Sequence, residues 1–375
     1  MKYTIRLLLA LSLIIPMSVW AQGKSTEKVY INLYFDGTGK TLYLAQEKGA
    51  SAACTAGESG MFFVGIPKLT CVASELIVIK DPPTTSRTAS KIIADSLGKY
   101  WNDKAETYHS EKLVLATDID FDKTLKKDLA VWSCSENHNA LNFSGKEFDG
   151  NNKKISNVCG VVDAGQWKTG MGLFYAISKG GSVKNLKLDE VNFIVLNKTT
   201  GVAATVSDDE KDYGSVGGLA AYIVNSTVDN ISLGHINVSA PLAGGLAGYI
   251  ENTPVTNISM IDGESKIEAS NDIVLKTSGA NSKMRNFKTV LGGLAGVSYS
   301  SSFNDINIYP EIIKNEAESD SSALGGVAGL FVYANPALSE KNVKMENITV
   351  ESSEKKKVTI QGGTTMGGLF GKTEE

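Results

Sequence analysis

The sequence predicts a mainly β chain wound as a parallel β-solenoid, and three observations carry that prediction. A glycine-rich phrase recurs from residue 170 onward: Gly170-Met171-Gly172-Leu173-Phe174, Gly217-Gly218-Leu219-Ala220, Gly244-Gly245-Leu246-Ala247-Gly248, Gly292-Gly293-Leu294-Ala295-Gly296, Gly325-Gly326-Val327-Ala328-Gly329 and Gly367-Gly368-Leu369-Phe370-Gly371. Most copies are followed by a second phrase: Val183-Lys184-Asn185-Leu186, Val228-Asp229-Asn230-Ile231, Val255-Thr256-Asn257-Ile258, Phe303-Asn304-Asp305-Ile306 and Met345-Glu346-Asn347-Ile348, with Ile155-Ser156-Asn157-Val158 as an earlier relative. The apolar runs are short, rich in Val, Ile and Leu, and closed by Gly, Asn or Ser, as strands are. Paired glycines inside a helix would cost about 1 kcal/mol each relative to Ala. Recurrence on this scale marks a stacked array.

Taken in order, residues 1–21 read as a secretory signal. Lys2 and Arg6 lead, residues 7–19 are apolar, and Val19-Trp20-Ala21 offers a small residue for cleavage. Pro16 interrupts an apolar stretch already short for a bilayer, and no later segment is long enough to span one, so the mature chain is expected outside the cytoplasm with no transmembrane segment. Beyond the signal, 35 basic residues face 41 acidic ones and the only arginines are Arg87 and Arg285, which argues against a nucleic-acid surface.

Residues 22–85 read as a small β-domain. Strand-like runs at 29–35, 41–44, 61–64 and 76–80 are separated by Gly and Ser turns, and Asp81-Pro82-Pro83-Thr84-Thr85 reads as a linker. Four cysteines, Cys54, Cys71, Cys134 and Cys159, form an even count in an exported chain. Three pairings exist; the local ones, Cys54–Cys71 and Cys134–Cys159, are expected, each closing a loop worth about 3 kcal/mol. Residues 86–109 hold a predicted helix, 86–101, with Ser86 as N-cap and Ile92, Ile93, Leu97, Tyr100 and Trp101 on one face. That helix is a natural lid over the first coil, because an open solenoid end exposes strand edges.

Residues 110–375 hold the array. Measured at Gly172, Gly218, Gly245, Gly293, Gly326 and Gly368, the steps are 46, 27, 48, 33 and 42 residues, and the 27-residue step fits one coil. The glycine pairs are expected at tight corners where backbones approach closely. Asn185, Asn230, Asn257 and Asn347 should stack as a ladder of side-chain amides, with Asp305 replacing one rung. The excess residues fall after the Asn-Ile strand, at 194–215, 261–289, 309–323 and 351–365, which places loops on one flank of the stack. Tyr222 and Tyr249 occupy equivalent positions after their glycine pairs, and stacked aromatics there could contact a flat sugar face.

No motif carries a catalytic reading. Gly37-Thr38-Gly39-Lys40-Thr41 lacks the leading glycine of a phosphate loop, where Tyr34 stands, and reads as a turn between strands. Asp118, Asp120 and Asp122 alternate on one strand face and could share a calcium ion, but acids on an outward face are ordinary, and no cofactor is assigned. His235, in a Gly234-His235-Ile236 turn, reads as polar surface, and Asp208-Asp209-Glu210 as a solvated loop.

The two phrases resemble the GLUG motif of bacterial surface and secreted proteins. Phe143-Ser144-Gly145-Lys146-Glu147-Phe148-Asp149-Gly150-Asn151 through Val158 is similar to that family's opening, and Leu113-Val114-Leu115-Ala116-Thr117-Asp118-Ile119-Asp120-Phe121 to its entry strand. The resemblance runs from about residue 110 onward. It implies a right-handed parallel β-helix in an adhesin-like protein, with a structural motif that transfers no catalytic residues. The expected role is therefore a non-catalytic module at the bacterial cell surface or secreted from it, binding polysaccharide or another surface ligand. The alternatives are a polysaccharide lyase or glycoside hydrolase, and a structural spacer within a larger surface protein.

Overall fold

The computed structural model describes residues 29–49, 51–60, 68–78, 111–121, 141–163, 170–196, 215–260, 264–269, 289–316, 322–332, 343–350, 358–362 and 365–374. Among these residues there is no helix; the chain is mainly β, in three sheets of 16, 7 and 5 strands, here called A, B and C. The predicted 86–101 helix and the signal peptide lie outside the described residues.

Sheets B and C are wholly parallel, as is most of sheet A, an arrangement consistent with a β-helix-like solenoid. The chain visits the sheets in a fixed cycle. Leu242–Gly244 in sheet C leads through the Gly245-Leu246 corner to Ala247–Glu251 in sheet B. A second corner leads to Pro254–Met260 in sheet A, and Lys266–Ala269 follows on the same sheet. Each strand pairs with its equivalents one cycle earlier and later. The register is the one that the repeated phrases imply: Gly217, Gly244, Gly292, Gly325 and Gly367 stack in sheet C, and Leu186, Ile231, Ile258, Ile306 and Ile348 in sheet A.

The Val-x-Asn-Ile phrase has a backbone reason. Val228 and Ile231 are three residues apart, and in a regular strand an odd separation puts side chains on opposite faces. Both are nevertheless buried, as are Val255 and Ile258. The left-handed residue between them resets the alternation: φ is +53° at Asn185 and Asn230, +54° at Asn257, +55° at Asp305 and +52° at Asn347. Asn and Asp enter this region more readily than other side-chain-bearing residues. A second left-handed column, Lys179, Asn225, Asn252 and Ser300, turns the corner from sheet B to sheet A, seven residues after each second glycine.

The second glycines act by contact rather than by unusual backbone angles, since none of the six has a positive φ. A Cβ on Gly218 would stand 2.5 Å from the carbonyl oxygen of Gly245, and one on Gly172 would stand 2.7 Å from the Cα of Ala220. Glycine is needed because the next coil's backbone occupies that space.

The N-terminal strands share the sheet of the repeats. Val29–Asp36 runs antiparallel between Thr41–Lys48 and Leu69–Val78, and Thr41–Lys48 pairs parallel to Lys112–Leu115, the entry strand of the array. Val29–Asp36 is buried nearly throughout because both of its faces are covered. Val29, Ile31, Leu33 and Phe35 join the core of the coils, while Tyr34 packs with Ala45, Leu69 and Cys71 in a smaller cluster. The buried Asn32 donates to Glu47 and to the Ala52 carbonyl, each at 2.8 Å. The Cys54–Cys71 disulfide pins this layer, with Cα atoms 6.0 Å apart. Cys159 is disulfide-bonded as well; its expected partner Cys134 lies outside the described residues. The run expected at 61–64 also lies outside them, and the last strand begins earlier than expected, at Leu69.

Two expectations about the loops are corrected. Three of the segments assigned as inserts contain a further strand: Lys266–Ala269, Ile312–Asn315 and Thr359–Gln361 extend the column that runs through Ile236–Ser239. Nor do all extra residues fall at one phase. Two residues separate Val224 from Thr227, whereas residues 333–344 separate the equivalent strands Ala328–Val332 and Met345–Val350.

Candidate functional site

The outward face of sheet A carries a series of ion-paired and hydrogen-bonded polar groups. In a half-buried strand every second side chain points to solvent. Here those positions hold Lys112, Glu147 and Lys184, then Asp229, Thr256 and Asn304 on successive coils. The left-handed asparagines stand beside them.

At the N-terminal end of this face lies an ion-pair network across three coils. Lys112 Nζ reaches Glu147 at 2.8 Å and Asp149 at 2.9 Å, and Lys184 Nζ reaches Glu147 at 3.0 Å. Partial burial opposes charge on Glu147 and Asp149, but hydrogen bonds from Lys112, together with Lys184 and Asn185 respectively, outweigh it and hold both carboxyls below their ordinary range. Burial likewise opposes the Lys112 charge, and its two carboxylate partners reverse the effect and raise its pKa.

The asparagine column follows. Asn185 Nδ2 donates to Asp149 at 3.0 Å, Asn230 to Asn185 Oδ1 at 2.8 Å, Asn257 to Asp229 at 2.8 Å, and Asn347 to Asp305 at 2.9 Å. The ladder expected from the repeat is therefore present in modified form. Each amide donates toward the preceding coil, but only Asn230 bonds to another rung asparagine. Asp305 takes the place of one asparagine and serves as the acceptor for the next. Asn230, Asn257 and Asn347 remain exposed.

Near the middle of the stack three coils meet at His235. The register aligns Glu190, His235 and Glu264 in one column, since Val191 pairs with Ile236 and Asn237 with Lys266. His235 Nδ1 lies 3.0 Å from Glu190 and 3.5 Å from Asp189, and Nε2 lies 2.7 Å from Glu264. Partial burial disfavours the imidazolium, but Glu190, Asp189 and the Glu264 hydrogen bond prevail and raise its pKa. Asp189, Glu190 and His235 offer three atoms close enough to share a metal ion. Against a metal, Asp189 Oδ1 already accepts the backbone N–H groups of Glu190 at 3.0 Å and His235 at 3.1 Å, and Lys154 approaches Oδ2 at 3.5 Å. The chemistry present is a histidine whose two ring nitrogens face carboxylates of the neighbouring coils. By sequence alone His235 reads as polar surface; counting from Asn185 and Asn230 places Glu190 and His235 at the same phase, but Glu264 lies two residues later relative to Asn257 and joins the column only through the strand register.

The other expected positions resolve as follows. Asp118 Oδ1 accepts the Lys154 backbone N–H at 2.9 Å, and Asp120 Oδ1 accepts Asn157 at 2.6 Å and Ser156 at 3.2 Å. These carboxylates bind the next coil; Asp122 lies outside the described residues. Gly37 to Lys40 form the expected turn, with Asp36 Oδ1 accepting Thr38 Oγ1 at 2.7 Å and Lys40 N at 3.3 Å. Tyr222 and Tyr249 do pair in register, with ring centroids 6.4 Å apart, but they are only 7% and 4% exposed. They form a packing ladder with Tyr175, and Tyr249 donates to Glu251 at 2.9 Å; no flat ring face is open to a sugar.

No helix among the described residues is long and apolar enough to cross a membrane. No family model, curated protein or solved structure matches the chain.

Proposed function

We propose that the chain is an exported right-handed parallel β-helix of the GLUG-like kind, and that it serves as a non-catalytic adhesion or binding module for polysaccharide or another ligand of the bacterial cell surface. The observation that supports this reading is the polar column on sheet A. Exposed amides recur at Asn230, Asn257 and Asn347, held in place by bonds to Asn185, Asp229 and Asp305. Stacked strands lie about 4.8 Å apart, so the groups repeat along a line. A polymer with regularly spaced hydroxyls is the ligand class that can engage several such groups at once, each through a modest bond. The ladder leaves each amide with a second N–H, so the column keeps donors for a ligand after its internal bonds are made.

A glycan array combined with a reducing-sugar assay on the same substrates tests the proposal. Binding without release of new reducing ends supports it. Turnover would favour the lyase or hydrolase reading, and absence of binding to any surface polysaccharide would favour the spacer. Deleting residues 270–288 removes part of a predicted insert while keeping the half-buried strand Lys266–Ala269. If binding belongs to the column, removing 270–288 leaves it unchanged.

A further inference from the structure

His235 is placed to hold two neighbouring coils at once. The coil before it brings Glu190 to 3.0 Å and Asp189 to 3.5 Å from Nδ1, and the coil after it brings Glu264 to 2.7 Å from Nε2. From one coil further back Lys154 approaches Asp189 at 3.5 Å, and beyond Glu264 the Lys266 ammonium stands 3.7 Å from Glu311.

The backbone on both sides is committed to this arrangement. Glu190 holds φ at +50°, in register with Asn157, which holds +62° one coil earlier. The left-handed region suits asparagine and is strained for glutamate, so Glu190 faces His235 at a backbone cost. On the other side Ser265, next to Glu264, donates from Oγ to the Gly234 carbonyl at 2.8 Å and accepts the Ile236 N–H at 3.1 Å. Those two bonds fix Glu264 against the turn that carries His235.

An imidazolium donates from both ring nitrogens, whereas a neutral imidazole donates from one and presents a lone pair at the other. With a carboxylate at each nitrogen, loss of the proton leaves one contact a hydrogen bond and sets a lone pair against a carboxylate at the other. Two carboxylates face Nδ1 and one faces Nε2. Partial burial opposes the imidazolium, and Glu190 and Asp189 do more than Glu264 to outweigh it. The remaining proton therefore stays on Nδ1.

We propose that His235 is a proton-operated latch between coils: as the imidazolium it ties Glu190 to Glu264, and on deprotonation it keeps Glu190 and lets go of Glu264. The latch is closed below the raised folded pKa of His235 and opens as pH rises through it. Its target is the short strand Lys266–Ala269, which pairs with Ile236–Ser239 directly after Glu264 and Ser265.

The chain has three histidines, so nitrogen-15 histidine labelling of the full chain gives three imidazoles, and His235→Gln identifies the signal. Over a pH titration, long-range proton–nitrogen spectra should show neutral His235 as the Nδ1–H tautomer, against the usual preference of imidazole for Nε2–H. The backbone amides of Ser265 and Lys266 should shift with the same midpoint. Amide exchange in Lys266–Ala269, corrected for its intrinsic pH dependence, should quicken about twofold above that midpoint, the size expected for a partly exposed ion pair. Glu264→Gln should abolish this change, because its amide can donate to the neutral Nε2 and its oxygen can accept from the imidazolium. Glu190→Gln should move the neutral proton toward Nε2. Both replaced side chains are more than half exposed, at 53% and 56%, and neither change removes core packing. A neutral Nε2–H tautomer in the parent chain overturns the proposal. So does exchange in Lys266–Ala269 that responds to pH equally in the parent chain and in Glu264→Gln.

Discussion

Replacing Gly218 with alanine adds one methyl group at a site with a backbone neighbour. The new Cβ would lie 2.5 Å from the Gly245 carbonyl oxygen and 3.0 Å from Ile236 Cγ2. Relief to ordinary contact requires a retreat of about 1 Å, and the obstacle is backbone rather than the end of a flexible side chain. That retreat breaks the hydrogen bond from Gly218 N to Gly245 O, 3.1 Å long, and strains the neighbouring bond from Leu219 N to Leu246 O at 2.9 Å. Overpacking costs about 1–3 kcal/mol, and a lost bond about 1 kcal/mol. A total near 3 kcal/mol is expected. In a repeat array the damage is local, because each coil touches only its neighbours. Urea unfolding followed by circular dichroism, with amide exchange resolved by segment, should show faster opening in Val216–Gly217, Ala220–Val224 and Ala247–Glu251 before the rest. Gly368→Ala is the control, since its methyl group meets nothing within 4 Å and should change stability by no more than a few tenths of a kcal/mol. Equal effects from the two alanines would refute the contact argument.

Further outcomes follow from other columns. Asn257→Ala should cost about 2 kcal/mol, from a strained left-handed residue and the lost bond to Asp229, whereas Asn257→Gly should cost about half as much, as read by chemical denaturation. The raised His235 pKa means that the folded state binds this proton more tightly than the unfolded chain does. Its contribution is therefore full below the unfolded value of about 6.5 and is lost as pH rises through the higher folded value. With the imidazole 37% exposed, the effect is about 0.5 kcal/mol, and thermal melts between pH 5 and 8 should show it in the parent chain and not in His235→Gln. Removing the Cys54–Cys71 bridge by double Ser substitution should cost about 3 kcal/mol, and peptide mapping of the parent chain should find that pair linked. Tyr222→Ser with Tyr249→Ser should lower the melting temperature through lost buried packing while leaving ligand affinity unchanged.

The parallel array was legible because its repeat is written in residue types. Gly217, Gly244, Gly292, Gly325 and Gly367 align by eye and pair in space. What Val-x-Asn-Ile does was less legible, because an odd spacing of inward residues contradicts a regular strand unless one residue turns left-handed, and sequence shows no φ. The buried state of Tyr222 and Tyr249 could not be read from their phase, since burial on the outer side of sheet B depends on what packs over it. His235 looked solitary because its partners Glu190 and Glu264 lie 45 and 29 residues away and meet it only through register. The further strands Lys266–Ala269 and Ile312–Asn315 were hidden inside segments assigned to loops, because four-residue strands carry too few alternations to stand out from polar surroundings.

The side-chain amide resonances of Asn185, Asn230, Asn257 and Asn347 test the central reading most directly. In a titration with a polysaccharide selected on the array, the account predicts saturable shifts of several of these amide pairs together, with no release of reducing ends. Saturable binding that leaves all four pairs unmoved would contradict the assignment of the ligand to this column, and sugar release during the titration would contradict a non-catalytic role.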